Sequence, residues 1–213
     1  MGTVDTGTLQ AWITRFSDAI ADKREWLTEL DSAIGDADHG ANMARGMSAV
    51  VEKLGAGAPA NIDELLKNVG MTLVSSVGGA SGPLYGTFFL RMGMSAGAVS
   101  ALDAPALAAA LRAGLEGIVA RGKPEAGDKT LFDAMSPAVD ALDAAIDAGA
   151  SASEAARAAA DAAAAGRDAT LPLVARKGRA SYLGERSAGH LDPGAASTAI
   201  LFETLADAIA GAS

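Results

Sequence analysis

Apolar residues recur three or four positions apart along most of this chain, and the spacing predicts about eight helices. The first predicted helix covers about 8–33, and no stretch alternates with a period of two, so no sheet is expected. The other helices are predicted at about 40–54, 61–73, 84–92, 103–118, 130–148, 153–168 and 195–210.

Local signals mark several of these helices. Asn61 followed by Glu64 predicts an N-cap with its reciprocal partner, and Asp103 before Pro105 predicts another helix start. Pro137 predicts either a kink or an early position in the sixth helix. The segment 153–168 is almost pure alanine, but its regular Asp and Arg residues are typical of a solvated helix face rather than of disorder.

Composition supports closely packed helices. Half of the 213 residues are hydrophobic and only 4% are aromatic, with alanine abundant, which favours helices over strands. The length predicts a single domain over 1–213. Since there is no cysteine, disulfides and thiolate metal sites are excluded, and we expect a cytoplasmic protein.

Charge and hydropathy narrow the class of partner. No apolar run approaches the roughly 18 residues of a membrane span, and the first residues lack the pattern of a signal peptide. A net charge of −9 should repel nucleic acid and anionic membranes. We therefore expect neither nucleic acid nor a membrane as a partner.

Three carboxylates, Asp31, Asp36 and Asp38, fall where the first predicted helix ends and the second begins. Carboxylates at a helix C-terminus oppose its dipole, at roughly 0.3–1 kcal/mol each, and crowding adds repulsion. A cation would relieve both costs, and Mg²⁺ prefers such oxygen ligands. Gly35 and Gly40 are expected to supply positive φ angles so that the carboxylates converge.

A structural interpretation of this loop stays open beside the metal site. In it, Asp38 only caps the following helix and the other two carboxylates are solvated. An EF-hand is excluded because the Asp spacing is wrong and no Glu closes the loop.

A glycine-rich turn at 75–86 opens the fourth predicted helix. Exposed N–H groups at a helix N-terminus can bind a phosphate. The turn lacks the Lys-Ser/Thr pair of a P-loop and the preceding strand of a dinucleotide-binding fingerprint. A tight crossing of two helices explains its glycines equally well.

The segment 171–194 carries four of the chain's 17 basic residues on an acidic background. Irregular segments of this length are often binding loops, and basic residues beside an Asp cluster suit a magnesium-bound phosphate chain. A solvated linker is the alternative. His39 and His190 each adjoin a glycine, which favours a hydrogen-bonding or capping role over catalysis.

The segments 31–42, 78–86, 127–131 and 175–179 together resemble the nucleotide-binding L subunits of the dihydroxyacetone kinase family, and the similarity covers the whole chain in order. The resemblance implies an all-α, antiparallel eight-helix barrel with the nucleotide at one end. It implies that Asp31, Asp36 and Asp38 hold two Mg²⁺ ions. The nucleotide-binding residues that it implies are His39, Gly40, Ala41, Asn42, Ala80, Ser81, Gly122, Leu131, Arg179, Asp192, Pro193 and Gly194.

The same resemblance implies a phosphoryl-transfer subunit that binds ADP or ATP with magnesium. Its partner would be a K subunit that holds dihydroxyacetone covalently through a histidine, so this chain would be half an enzyme. ADP would stay bound and be rephosphorylated by the M subunit of a phosphoenolpyruvate-dependent phosphotransferase system. No residue of this chain is assigned a catalytic role, since phosphoryl transfer depends mainly on positioning and charge stabilisation.

Two other functions remain open at this point. The chain could be an ATP-using kinase subunit for another short sugar or for a fatty acyl group on a carrier protein. It could instead be a regulatory module whose nucleotide state is read by a transcription regulator. The sequence leaves the phosphate donor undecided.

Overall fold

The computed structural model describes residues 2–212, which lie between the ends of the predicted domain at Met1 and Ser213. Within that range the chain is almost wholly helical. The strands are β1 (Val4–Asp5) and β2 (Ala101–Leu102), and the helices are α1 (Thr6–Asp22), α2 (Arg24–Ile34), α3 (His39–Gly55), α4 (Ile62–Ser76), α5 (Ser81–Ala96), α6 (Ala104–Gly122), α7 (Phe132–Asp147), α8 (Ala152–Ala169), a 3-10 segment (Arg179–Ser187) and α9 (Pro193–Ala210).

Eight of the helices pack in a closed series. From α3 to α9 each helix contacts the next, and α1 completes the circle by packing against both α9 and α3. The four connections α2–α3, α4–α5, α6–α7 and α8–α9 all border one pocket. Every second connection therefore lies at the same end, as expected when neighbouring helices run in alternating directions.

The predicted all-α class is confirmed, with two local corrections. The helix predicted over 8–33 is two helices, because the backbone leaves helical geometry at Lys23 (φ −95°, ψ 11°). No Pro or Gly marks this break, so the apolar pattern runs across it. The expectation of no sheet also needs a correction. Two short strands pair antiparallel, with Val4 opposite Leu102 and Asp5 opposite Ala101. Two-residue strands are too short to show alternation.

Most of the predicted helix signals are confirmed. The Asn61 side chain accepts a hydrogen bond from the Glu64 N–H at 2.9 Å, although the Glu64 carboxylate accepts from Ala60 rather than from Asn61. Asp103 caps α6 through the Ala106 N–H. Pro137 lies inside α7, beyond its first turn.

Alanine and glycine allow the close helix packing that the composition predicts. One face of α8 is made of buried alanines and packs between α7 and α9. At Gly166 of α8 a β-carbon would lie 2.3 Å from the Asp133 carbonyl oxygen of the facing helix. Large side chains fill the centre instead, where Trp12, Phe88 and Phe89 are almost fully buried. No helix among residues 2–212 is both long and apolar enough to cross a membrane.

Candidate functional site

The four connections at one end of the helices enclose a pocket of about 560 Å³. Most of the residues predicted to bind metal or nucleotide line it. They are Asp31, Asp36, Asp38, His39, Asn42, Ala80, Ser81, Gly122, Leu131, Arg179, Asp192, Pro193 and Gly194. The structure thus brings together residues at or beside all four of these connections.

Gly40 and Ala41 are the predicted residues that do not line the pocket. Gly40 is buried where α3 meets α2, and a β-carbon there would lie 2.1 Å from the Arg24 carbonyl oxygen. Its role is therefore the close approach of two helices. The expected positive φ is also absent at Gly35, where φ is −141°. In this turn the positive φ belongs to Ala37, at 61°.

Asp31, Asp36 and Asp38 form a cluster with one carboxylate oxygen from each within 4.8 Å of the others. Glycine at position 35 leaves room for the Asp31 carboxylate, because a β-carbon there would lie 2.0 Å from an Asp31 oxygen. Three hard oxygen donors at this separation suit Mg²⁺. Asp31 is buried, whereas the other two are more open to solvent.

The buried Asp31 carboxylate also holds the backbone of the turn. Its Oδ2 accepts hydrogen bonds from the N–H groups of Asp38 at 2.8 Å and His39 at 3.0 Å. These donors lie at the N-terminus of α3, where negative charge is favoured. Asp38 occupies the N-cap position, yet its side chain forms no capping bond. Its carboxylate is therefore available to the cluster, contrary to the capping interpretation.

One basic side chain from the segment before α9 contacts this cluster. Nε of Arg179 lies 2.9 Å from Oδ2 of Asp36. Lys177 donates to the carbonyls of Gly122 and Lys123, which ties the basic segment to the end of α6. Lys177 and Arg179 line the pocket, whereas Arg176 does not. The predicted positive patch is thus confined to part of 176–179.

Lys129 is a pocket residue that sequence reasoning missed. Its side chain is only 1% exposed, and Nζ donates to the carbonyls of Thr170 at 2.9 Å and Leu173 at 3.0 Å. Burial lowers the pKa of this lysine. Its carbonyl partners lie more than 40 residues further along, so no local pattern indicates them. Lys129 fixes the turn from which the basic segment departs.

Asp192 caps α9, which begins at Pro193 rather than at the predicted position 195. Its Oδ2 accepts from the Ala195 N–H at 2.7 Å, and its own N–H donates to the Thr170 hydroxyl. Burial raises the pKa of Asp192 to about 7, while the bond from Ala195 opposes that rise. A carboxyl group in this state can gain or lose a proton near neutrality.

Asp192 should make the ligand-free protein less stable as the pH rises towards 7. Between the unfolded pKa of 3.8 and the native value of about 7, the native state holds a proton that the unfolded state has lost. The stabilising contribution of Asp192 to the free energy of unfolding is complete below pH 3.8 and is lost as the pH rises through 7. Asp192→Asn keeps a capping oxygen and removes this titration. In thermal melts with EDTA, the Tm should decline less between pH 5 and pH 7.5 in the variant than in the wild type. An equal decline of Tm in both proteins would contradict the raised pKa of Asp192.

The two histidines have different surroundings. His39 is buried between Ser81, 3.2 Å from its Nδ1, and Ser197, 2.9 Å from its Nε2. Burial lowers the pKa of His39, and the nearby Asp31 and Asp38 oppose that change. The predicted hydrogen-bonding role of His39 is confirmed. His190 is exposed and does not line the pocket.

Comparison with known proteins identifies relatives along nearly the whole chain. The family model described as DAK2 domain matches residues 33–207. The PEP-dependent dihydroxyacetone kinase, ADP-binding subunit DhaL, of Escherichia coli K12 is 50% identical over 195 residues, which cover 92% of this chain and 93% of that protein. The PTS-dependent dihydroxyacetone kinase, ADP-binding subunit DhaL, of Lactococcus lactis is 47% identical and matches 99% of this chain and 100% of its own length.

A solved structure shares the fold. The dihydroxyacetone kinase of C. freundii in complex with AMP-PNP and Mg²⁺ superposes with a TM-score of 0.71 at 28% sequence identity. The match covers 93% of this chain and 33% of that one, so this chain spans about a third of the larger kinase.

Proposed function

This chain belongs to the DAK2-domain family, and on that premise we propose that it is the nucleotide-binding subunit of a dihydroxyacetone kinase. In this proposal it passes phosphate to dihydroxyacetone held on a separate K subunit. The observation that carries the proposal is the convergence of Asp31, Asp36 and Asp38 in the lining of one pocket. A basic segment and the N-terminus of α5 lie on the other walls of that pocket.

The carboxylate cluster is proposed to hold two Mg²⁺ ions. Its three oxygens fit a hard cation in number and type. When bound, the ions would supply positive charge that neutralises the nucleotide phosphates. Asp31 is held by its two backbone hydrogen bonds, so the position of this carboxylate is set before any ligand arrives.

The phosphates are proposed to lie between this cluster and the N-terminus of α5. The N-cap residue there, Ala80, has no side chain that could satisfy the first N–H groups of the helix, which suits an anion. The three aspartates and ADP sum to about −6, and two magnesium ions bring this to about −2. Lys177 and Arg179, which both line the pocket, balance the remainder.

The nucleoside is proposed to occupy the apolar side of the pocket. Leu84, Ile118, Leu131 and Phe132 line that side, on α5, α6 and the start of α7. A mainly apolar wall beside a few polar groups is typical of a nucleotide or cofactor site. The whole chain is proposed to act as one nucleotide-binding domain in the cytoplasm, with a phosphotransferase M subunit as second partner.

Alone, the chain should form no sugar phosphate from ATP, magnesium and dihydroxyacetone. The pocket lining supplies groups for metal and phosphates, and the sugar is proposed to be held on the K subunit. Product formation can be followed with a coupled dehydrogenase assay, with a complete two-subunit kinase as positive control. Sustained turnover by the highly purified chain would refute the division of labour. The two alternative functions, an ATP-using kinase subunit for another substrate and a regulatory module, stay predictions.

A further inference from the structure

Lys129 combines a buried charged side chain with a backbone conformation that favours glycine. Its φ angle is 62°, in the left-handed region, and the residue is only 1% exposed. The Asp133 carboxylate holds the turn on both sides by accepting from the N–H groups of Gly127 and Thr130. A backbone of this kind persists where the surrounding structure compensates for its strain. The contacts of the buried Lys129 side chain must therefore be favourable.

Three backbone carbonyls surround the Lys129 ammonium group. Its Nζ lies 2.9 Å from the oxygen of Thr170, 3.0 Å from that of Leu173 and 3.5 Å from that of Leu171. Three acceptors match the three N–H bonds of an ammonium group. Burial lowers the pKa of Lys129, and the charge of Asp192 opposes that change, so the carbonyl dipoles must compensate for lost hydration. Carbonyl oxygens bind a potassium ion in the same way.

The same carbonyls close the base of the loop between α8 and α9. The oxygen of Leu171 also accepts from the Gly189 N–H at 2.8 Å. The Thr170 hydroxyl accepts from the Asp192 N–H at 3.0 Å. The start and the end of the loop are thus joined beside Nζ of Lys129.

This α8–α9 loop carries basic groups of the pocket. Lys177 and Arg179 both line the pocket. The Arg176 N–H donates to the carbonyl of Asp128, the residue before Lys129, at 3.0 Å. The turn that contains Lys129 therefore holds the loop both at its base and beside its basic groups. A shift of the base would move the charges that face the proposed phosphates.

We propose that Lys129 is a positioning residue whose ammonium group acts as a tethered monovalent cation: it binds the carbonyls at the base of the α8–α9 loop and so sets the position of Lys177 and Arg179 in the pocket. Without the lysine side chain, the same carbonyls should bind a free ammonium or potassium ion. Only the consequence for ADP rests on the proposed function, since the cation site is a property of the free protein.

Lys129→Ala and Lys129→Met separate an open cation site from a filled one. Both remove the charge. Alanine leaves room for a small ion, whereas an ion at the position of Nζ would overlap the terminal methyl group of methionine. At ten times the Kd of the ion, ammonium or potassium chloride should raise the Tm of Lys129→Ala by about 3–6 °C over equal tetramethylammonium chloride. The Tm of Lys129→Met and of the wild type should not differ between these salts.

The affinity for ADP with magnesium separates positioning from mere stabilisation. Measured well below the Tm, where each protein is fully folded, it should fall about 10-fold in both variants. Ammonium ions should restore it in Lys129→Ala and not in Lys129→Met. Lys53→Met, exposed at the end of α3, is the matched control and should change neither the affinity nor the response to salts.

Equal responses of the Tm to these salts in Lys129→Ala and Lys129→Met, or an ADP affinity that neither variant changes, would overturn the inference. If neither variant folds, ¹H–¹⁵N spectra of the wild type at pH 7 decide. Lys129 should give an ammonium signal with three protons that exchange slowly with water, and an uncharged amine or fast exchange would overturn the inference. A salt-selective rise of Tm in Lys129→Ala, with a wild type that binds no ADP, would support the cation site and refute only the proposed function.

Discussion

Replacing Asp36 or Asp38 by asparagine should abolish magnesium-dependent binding of ADP while the helices stay folded. Each change replaces one carboxylate of the three-carboxylate cluster by a neutral amide, so one negative charge and one carboxylate oxygen are lost. Neither side chain holds the backbone of the turn, which depends on Asp31 instead. The two substitutions therefore separate metal binding from folding, which a change at Asp31 does not.

Thermal melting with and without ADP and magnesium measures this loss. A bound ligand at 100 times its Kd adds about 2.7 kcal/mol of stability, and 1 kcal/mol raises the Tm of a chain of this size by about 2–4 °C. The wild type should gain several degrees and both variants none. Asp161→Asn, on the exposed face of α8, is the matched control and should keep the full shift. An undiminished shift in both cluster variants would disprove the metal assignment.

The purified protein should contain ADP at close to one molecule per chain and keep it through gel filtration in magnesium buffer. In the proposed site, release would require several charge-assisted contacts to break together, those through the carboxylate cluster and those with Lys177 and Arg179. Affinity differences among related complexes lie mostly in the dissociation rate, so a tightly held nucleotide leaves slowly. Such retention fits a coenzyme that is rephosphorylated in place.

EDTA should release the nucleotide, and Arg179→Ala should hasten its loss in magnesium buffer. Arg157→Ala, on the surface of α8 where Arg157 pairs with Asp207, is the matched control and should retain ADP. Absorbance and chromatography of the extracted nucleotide give the occupancy. A nucleotide-free preparation that exchanges ADP for ATP within seconds would identify an ordinary ATP-using kinase subunit.

The carboxylate cluster could be predicted because its members are close in sequence. Asp31, Asp36 and Asp38 lie within eight residues, so one tight turn suffices to bring them together. The helix starts at Asn61 and Asp103 are equally local, and both are confirmed. Signals of this kind need no knowledge of the remaining fold.

The rest of the site depends on contacts between distant segments. The Arg179–Asp36 ion pair joins two loops, and Lys129 reaches carbonyls beyond α8. The hydroxyl partners of Tyr85 are on α9, 112 and 113 residues further along, so only the folded chain brings them together. The break at Lys23 was missed for a different reason, since the apolar positions continue across it.

Phosphoryl transfer in a single turnover tests the central claim most directly. The chain is loaded with γ-labelled ATP and magnesium, freed of excess nucleotide, and mixed with a K subunit that already carries dihydroxyacetone. We expect close to one labelled dihydroxyacetone phosphate per loaded chain, none from either protein alone, and none with Asp36→Asn. Retention of all the label on the nucleotide in the complete mixture, with a K subunit shown to be active with another L-type partner, would contradict the account.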